Sequence, residues 1–169
     1  MLAASGANKL EIVKFLLDNN ADPNKGITAA SLYGYTNVVY VLLENGADAQ
    51  LGIEAAVKSN HTNTTLLLLE NDANASAPIL IMMAAAKNNV KIVTALISGG
   101  ANAQDGINNA IKYNALDVFL ILLENEVLIK DPEHMELAAK HSAFKVIPKL
   151  VEQVVDINDK TATGSSYIH

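Results

Sequence analysis

Four histidines and a scatter of carboxylates have the widest chemical range in this chain, and their spacing limits what they can do. His134 and His141 flank one short helical stretch, with Glu133 and Glu136 beside them. Residues seven apart on a helix lie two turns apart, about 10 Å, so a single ion cannot bridge them. His61 falls in a turn, where a solvated ring is expected, and His169 lies in the tail. Cysteine is absent, which removes disulfides, thiolate zinc sites and cysteine nucleophiles together. The chain contains no G-x-S-x-G elbow, no phosphate-cradling glycine loop and no H-E-x-x-H pair. Gly99-Gly100 fits a helix stop. The expectation is a non-enzyme with no catalytic residue, no metal and no cofactor.

Two rows of residues recur instead. Asp18, Glu44, Glu70, Glu124 and Glu152 each follow a leucine by two positions and form an acidic row, expected to be a solvated edge. They cannot pair as general acid and base, because each belongs to a different copy of a repeat. The second row contains Leu32-Tyr33, Lys58-Ser59, Ala86-Lys87, Lys112-Tyr113 and Lys140-His141. It concentrates lysine and tyrosine in a chain of net charge −6. Lysine at a helix C-terminus complements the dipole, which is the plain explanation. Tyrosine beside it favours a binding surface.

What positions both rows is a repeat. The leucines Leu16, Leu42, Leu68, Leu96, Leu122 and Leu150 are separated by 26, 26, 28, 26 and 28 residues. Twelve residues before each stands an alanine: Ala4, Ala30, Ala56, Ala84, Ala110, Ala138. An apolar residue lies three positions before each alanine, from Met1 to Met135, and Asn8, Gly34, Asn60, Asn88, Asn114 or Ser142 lies four after. Gly and Asn tolerate the left-handed backbone that ends a helix. The unit is therefore a short helix, a tight turn, a longer helix and a connector. Such a unit cannot bury its apolar face alone, so neighbours must stack. The fold class is an all-α solenoid of helix–turn–helix repeats, with the six alanines buried where helices approach.

LAASGANKLEIVKFLLDNNADPN (Leu2–Asn24) and ASLYGYTNVVYVLLENGADAQ (Ala30–Gln50) resemble the ankyrin repeat. The family period is about 33 residues with a T-P-L-H-x-A start. Here the period is shorter and that start is missing from every internal repeat, which implies loss of most of the β-turn finger. The resemblance implies a module that binds another protein through a concave groove lined by the first helices. The residues at the groove positions are Leu32, Tyr33, Lys58, Ser59, Lys87, Lys112, Tyr113, Lys140 and His141.

The expected domain covers residues 1–158 in six repeats, about 1–24, 25–50, 51–76, 77–104, 105–130 and 131–158. Residues 159–169 are expected to start a truncated seventh repeat, with Gly164, Ile168 and His169 matching the family start and Ser166 and Tyr167 departing from it. Met1 already occupies the apolar position of a first helix, so the expectation is a chain cut from something longer or a truncated form that starts at Met1. Gly26-Ile27, Gly52-Ile53 and Gly106-Ile107 are expected to bend the connectors sharply. Pro78 and Pro132 are expected to open longer first helices, Pro78–Lys87 and Pro132–His141. Glu126 and Val154 occupy helix-stop slots that favour Gly or Asn, so the last two repeats are expected to leave their second helices differently. Pro148 is expected in the first turns of the sixth long helix.

All 12 basic residues are lysine. Without arginine's planar fork, and with an acidic balance, no nucleic-acid partner is expected. No apolar run approaches spanning length, so no membrane insertion is expected. A monomeric, intracellular, cytoplasmic protein is the expectation (host cytoplasm for a secreted effector). Two other roles are open: a substrate-recruiting arm of a larger multidomain enzyme, or a structural spacer.

Overall fold

The computed structural model describes residues 1–164, with side chains described through Val155. It is an all-helical solenoid, with no strand among the described residues. Six helix pairs follow one another: α1 (Leu2–Gly6) with α2 (Leu10–Asp18), α3 (Asn24–Leu32) with α4 (Thr36–Glu44), and α5 (Gln50–Lys58) with α6 (Thr62–Glu70). Then come α7 (Pro78–Ala86) with α8 (Val90–Ser98), α9 (Ile107–Lys112) with α10 (Leu116–Leu123), and α11 (Glu133–Lys140) with α12 (Ile147–Gly164). A 3-10 turn, Ala103–Gly106, leads into α9.

The turn inside each pair follows from one backbone motif. Asn8, Gly34, Asn60, Asn88, Asn114 and Ser142 hold φ between 51° and 71°. The next residue then donates its N–H back to the carbonyl of the marker alanine, at 2.8–3.2 Å in all six repeats. That six-to-one closure satisfies a helix-end carbonyl, and it explains why alanine and turn residue stand four apart. The second helices stop the same way in the first four repeats, where Ala21, Ala47, Ala73 and Ala101 donate to Leu16, Leu42, Leu68 and Leu96. Asn19, Asn45, Asn71 and Asn125 add a side-chain bond of 2.8 Å to the carbonyl four residues back.

Stacking buries the periodic apolar positions. Ile27, Ile53, Ile81 and Ile107 from the first helices, and Leu42, Leu68, Leu96 and Leu122 from the second, are all within 1% of complete burial. Each such side chain contributes roughly 1.5–3 kcal/mol. Five of the six marker alanines are buried, and Ala4, in the first pair, is half-buried. First helices pack on first helices along the array, and second on second from α2 to α10.

Three expectations are corrected here. Gly26 and Gly52 do not bend connectors. They are the third residues of α3 and α5, and a Cβ on Gly26 would fall on the Ser5 hydroxyl and 3.1 Å from its Cβ. Glycine is there so that successive first helices can touch. The prolines do not open longer helices either. α7 has nine residues, like α3 and α5, and α11 has eight. The two extra residues lengthen the connector, because Pro78 starts its helix six residues before the alanine, as Asn24 and Gln50 do. Glu126 does take the left-handed slot, at φ 59° beside Asn20 at 60°, but α10 ends at Leu123, one residue short of the pattern, so the fifth repeat leaves its second helix differently, as expected. Val154 is no exit at all, since α12 runs on to Gly164 and across the boundary expected at residue 158. The rest of that expected start, residues 165–169, lies outside the described residues.

Connectors are stapled across repeats where a finger would otherwise stand. Asp22, Asp48, Asn74 and Asn102 each accept from the backbone N–H two residues on, at 2.8–3.0 Å. Asn24, Gln50 and Gln104 in turn accept from the next connector, at Asp48, Asn74 and Leu128. The apolar connector Val127–Ile129 keeps this register because Gln104 bonds the Leu128 backbone through both its amide atoms.

Two buried hydroxyls, Ser5 Oγ and Ser31 Oγ, have no hydrogen-bond partner among the described residues. An unsatisfied buried polar atom is costly. Ser31→Ala should therefore stabilise the fold by about 1 kcal/mol. A thermal melt by circular dichroism should show a midpoint about 2–4 °C higher, and an unchanged or lower midpoint would show that the hydroxyl is satisfied.

Candidate functional site

The buried faces of the first helices are set by the apolar residue, the marker alanine and the residue after it. The opposite face carries positions five and two before the alanine and two after, one helical stripe by spacing. In α3 these are Lys25, Thr28 and Leu32; in α5, Leu51, Glu54 and Lys58; in α7, Ile79, Met82 and Ala86. The stripe is mostly open to solvent, with Leu51 and Ile79 each 47% exposed.

All nine residues expected at the groove sit at one end of this face. Leu32, Lys58, Lys112 and Lys140 are the last residues of α3, α5, α9 and α11. Tyr33, Ser59, Lys87, Tyr113 and His141 are the C-caps of α3, α5, α7, α9 and α11. Stacking therefore brings them into a single row along the turn edge. Ser59 and His141 are half-buried, while the other seven are exposed. Tyr33 stacks on Tyr35 at 5.8 Å between ring centroids, and the Lys112 ammonium lies 5.3 Å from the Tyr113 ring centre. These contacts hold both exposed rings against the fold and leave an outer face on each.

Sequence reasoning missed the other end of the stripe. Thr28, Leu32, Leu51, Glu54, Ala55 and Lys58 line an open cleft of about 270 Å³ between α3 and α5. The Thr28 hydroxyl donates to the Leu51 carbonyl at 2.8 Å and ties the two helices together beside it. The missed signal was available: an exposed apolar residue five positions before the alanine in two successive repeats.

Behind the turn edge, the turn residues do a second job. Asn88 Oδ1 accepts from the Val118 N–H at 3.1 Å, and Asn114 Oδ1 from the Lys145 N–H at 2.9 Å. Each caps the start of the following second helix, which glycine at that position could not do. Beside Gly34 the space is filled by His61, whose Nε2 lies 3.0 Å from the Leu32 carbonyl. His61 is thus a structural bridge between repeats rather than a solvated ring.

His134 is also structural. It is 1% exposed, and its Nδ1 accepts from the Lys130 N–H at 3.0 Å. That bond places the ring proton on Nε2 in the neutral form. Burial lowers its pKa below the ordinary 6.5, with Glu133 opposing and nearby Lys130 adding to the effect. Among the described residues no group of three or more His, Asp or Glu could hold a metal ion, and no helix is long and apolar enough to cross a membrane.

Residues 1–79 match the family described as ankyrin repeats, in three copies. No curated protein matches the chain. The crystal structure of the human ASB11 ankyrin repeat domain is similar to it, with a TM-score of 0.67 and 22% identity, over 75% of this chain and 68% of that one. At that identity the likeness speaks for the fold alone.

Proposed function

Because this chain is an ankyrin repeat protein, we propose that it binds a partner protein across the exposed face of its first helices. Ankyrin repeats are protein-interaction modules with a non-catalytic fold, and stacked repeats present extended binding surfaces. The observation that supports this use of the face is its composition. Tyr33 and Tyr113 at the turn end, and Leu51 and Ile79 at the connector end, expose large aromatic or apolar surface from four successive first-helix units, 47–55% exposed each. Aromatic and aliphatic anchors of that kind carry most interface energy.

The test pairs capture with substitution. Tyr33→Ala combined with Leu51→Ala should weaken a captured partner by about tenfold or more. Tyr40→Ala, on a second helix, should leave capture unchanged. Circular dichroism confirms that each variant is folded. Equal capture by all variants would favour the spacer role over recognition at this face. A recruiting arm of a larger enzyme would use the same surface and the same residues.

A further inference from the structure

Seven of the twelve lysines stand at the turn edge of this solenoid. Four lysines close first helices at the turn edge, Lys58, Lys87, Lys112 and Lys140, and all four are exposed. The helix dipole accounts for these four. It does not account for those beside them. Lys9 is the N-cap of α2, Lys91 the second residue of α8, and Lys145 lies two residues before α12, where the dipole disfavours a cation. Nor does it account for Asp18, Glu44, Glu70 and Glu124, which close second helices at the opposite, connector edge. Carboxylates also stand among these lysines: Glu54 and Glu136 lie one turn before Lys58 and Lys140 on the same face, and Glu11 and Asp117 stand in the first turns of second helices at the turn edge. Glu11 pairs with Lys14, and Asp117 accepts from Asn88. Among the described residues the only ion pairs are Lys14–Glu11 and Lys149–Glu152, so none of the turn-edge lysines is neutralised within the fold.

We propose that the turn edge of the first-helix face binds an extended acidic polypeptide, its carboxylates on Lys58, Lys87, Lys112 and Lys140 and one aliphatic side chain in the cleft beside Leu51. This rests on the first-helix face being the recognition surface. The spacing supplies the ligand's form. Packed helices stand about 8–10 Å apart, and an extended chain advances about 3.3 Å per residue. One lysine per repeat therefore meets one carboxylate every third residue. A small anion reaches only one such lysine. A polynucleotide is disfavoured because the chain has no arginine and a carboxylate, Glu54, lines the cleft beside Lys58. That cleft, about 270 Å³ and bordered by Lys58, sits at one end of the lysine row and fixes the direction of the peptide.

The test uses the whole chain and a fluorescent peptide with glutamate at every third position and a leucine at one end. Its partner probe replaces each glutamate with glutamine. By anisotropy, the glutamate peptide should bind about tenfold more tightly than the glutamine peptide, and the gap should shrink with added salt. Lys87→Ala, Lys112→Ala and Lys140→Ala together should abolish the gap. A control of equal charge change, Lys14→Ala with Lys130→Ala and Lys149→Ala, should keep it. Equal binding of the two peptides, equal loss in the control, or tighter binding of a single-stranded oligonucleotide overturns the proposal. A captured partner that needs Tyr33 and Leu51 but ignores the lysine triple overturns the acidic ligand and leaves the recognition face standing. Loss of neither overturns both.

Discussion

Gly52→Ala should destabilise this protein by about 2 kcal/mol, although alanine is the better helix former. At an ordinary helix position the replacement gains roughly 0.5–1 kcal/mol. Here the added Cβ would lie 2.5 Å from Ser31 Oγ and 3.2 Å from a Leu68 methyl, so α5 must move away from α3. Both neighbours are fully buried, which leaves little room to yield. In a chain of this length the thermal midpoint should fall by about 4–8 °C. The same substitution in a Ser31→Ala background should cost much less, because the nearest atom is gone. The two changes should therefore couple strongly in a double-mutant cycle. Additive effects would mean that the helix contact is looser than the geometry implies. A stabilised single variant would mean that α5 can shift away from Ser31 at no cost.

The misreading of Gly52 as a connector bend shows where sequence reasoning stops. The six-fold alternation of alanine, turn residue and leucine is legible because each residue type answers to its own repeat. Alanine accepts the closing bond, asparagine or glycine bears positive φ, and leucine fills the core. Gly26 and Gly52 answer to a neighbour instead, and the serines they face stand 21 residues earlier in both cases, Ser5 and Ser31. Asn88 and Asn114 are the same kind of case. Their positive φ is readable locally, but their bonds to Val118 and Lys145 cross 30 and 31 residues. Glu126 bears a positive φ that its own propensity disfavours. Gln104 holds Leu128 two residues beyond it, so tertiary context sets a slot that glutamate alone does not favour. The lysine end of the candidate surface was visible as composition. Its apolar end was not, because Leu51 and Ile79 look like core until the helix face is fixed.

The junction between the fifth and sixth repeats should be the acid-sensitive point of the solenoid. α12 starts only three residues before its marker leucine, where α2, α4, α6, α8 and α10 start six before. Pro148, its second residue, has no N–H for the bond back to Phe144 and would crowd that carbonyl. Second-helix stacking, continuous from α2 to α10, weakens here, and α12 packs mainly on α11. Much of the joint therefore depends on α11 against α9, with His134 buried at its start and accepting from the Lys130 N–H. Protonation would remove that acceptor and bury a cation. Because the folded pKa lies below 6.5, the unfolded chain binds the extra proton first as pH falls. The contribution of His134 is thus complete above about pH 6.5 and is lost as pH drops from there through the lowered folded value. Hydrogen exchange, corrected for intrinsic rates, should show Glu133–Lys140 opening at pH 5.5 while Gln50–Lys58 stays protected. His134→Gln can keep an acceptor without a proton to gain, so it should flatten the pH dependence in the sixth repeat. His134→Leu should open the repeat even at neutral pH, at a cost of about 1–3 kcal/mol for the orphaned Lys130 N–H. Equal acid sensitivity in the wild type and the glutamine variant would place the titrating group elsewhere. Uniform protection across both repeats at low pH would mean that the joint is held by packing alone.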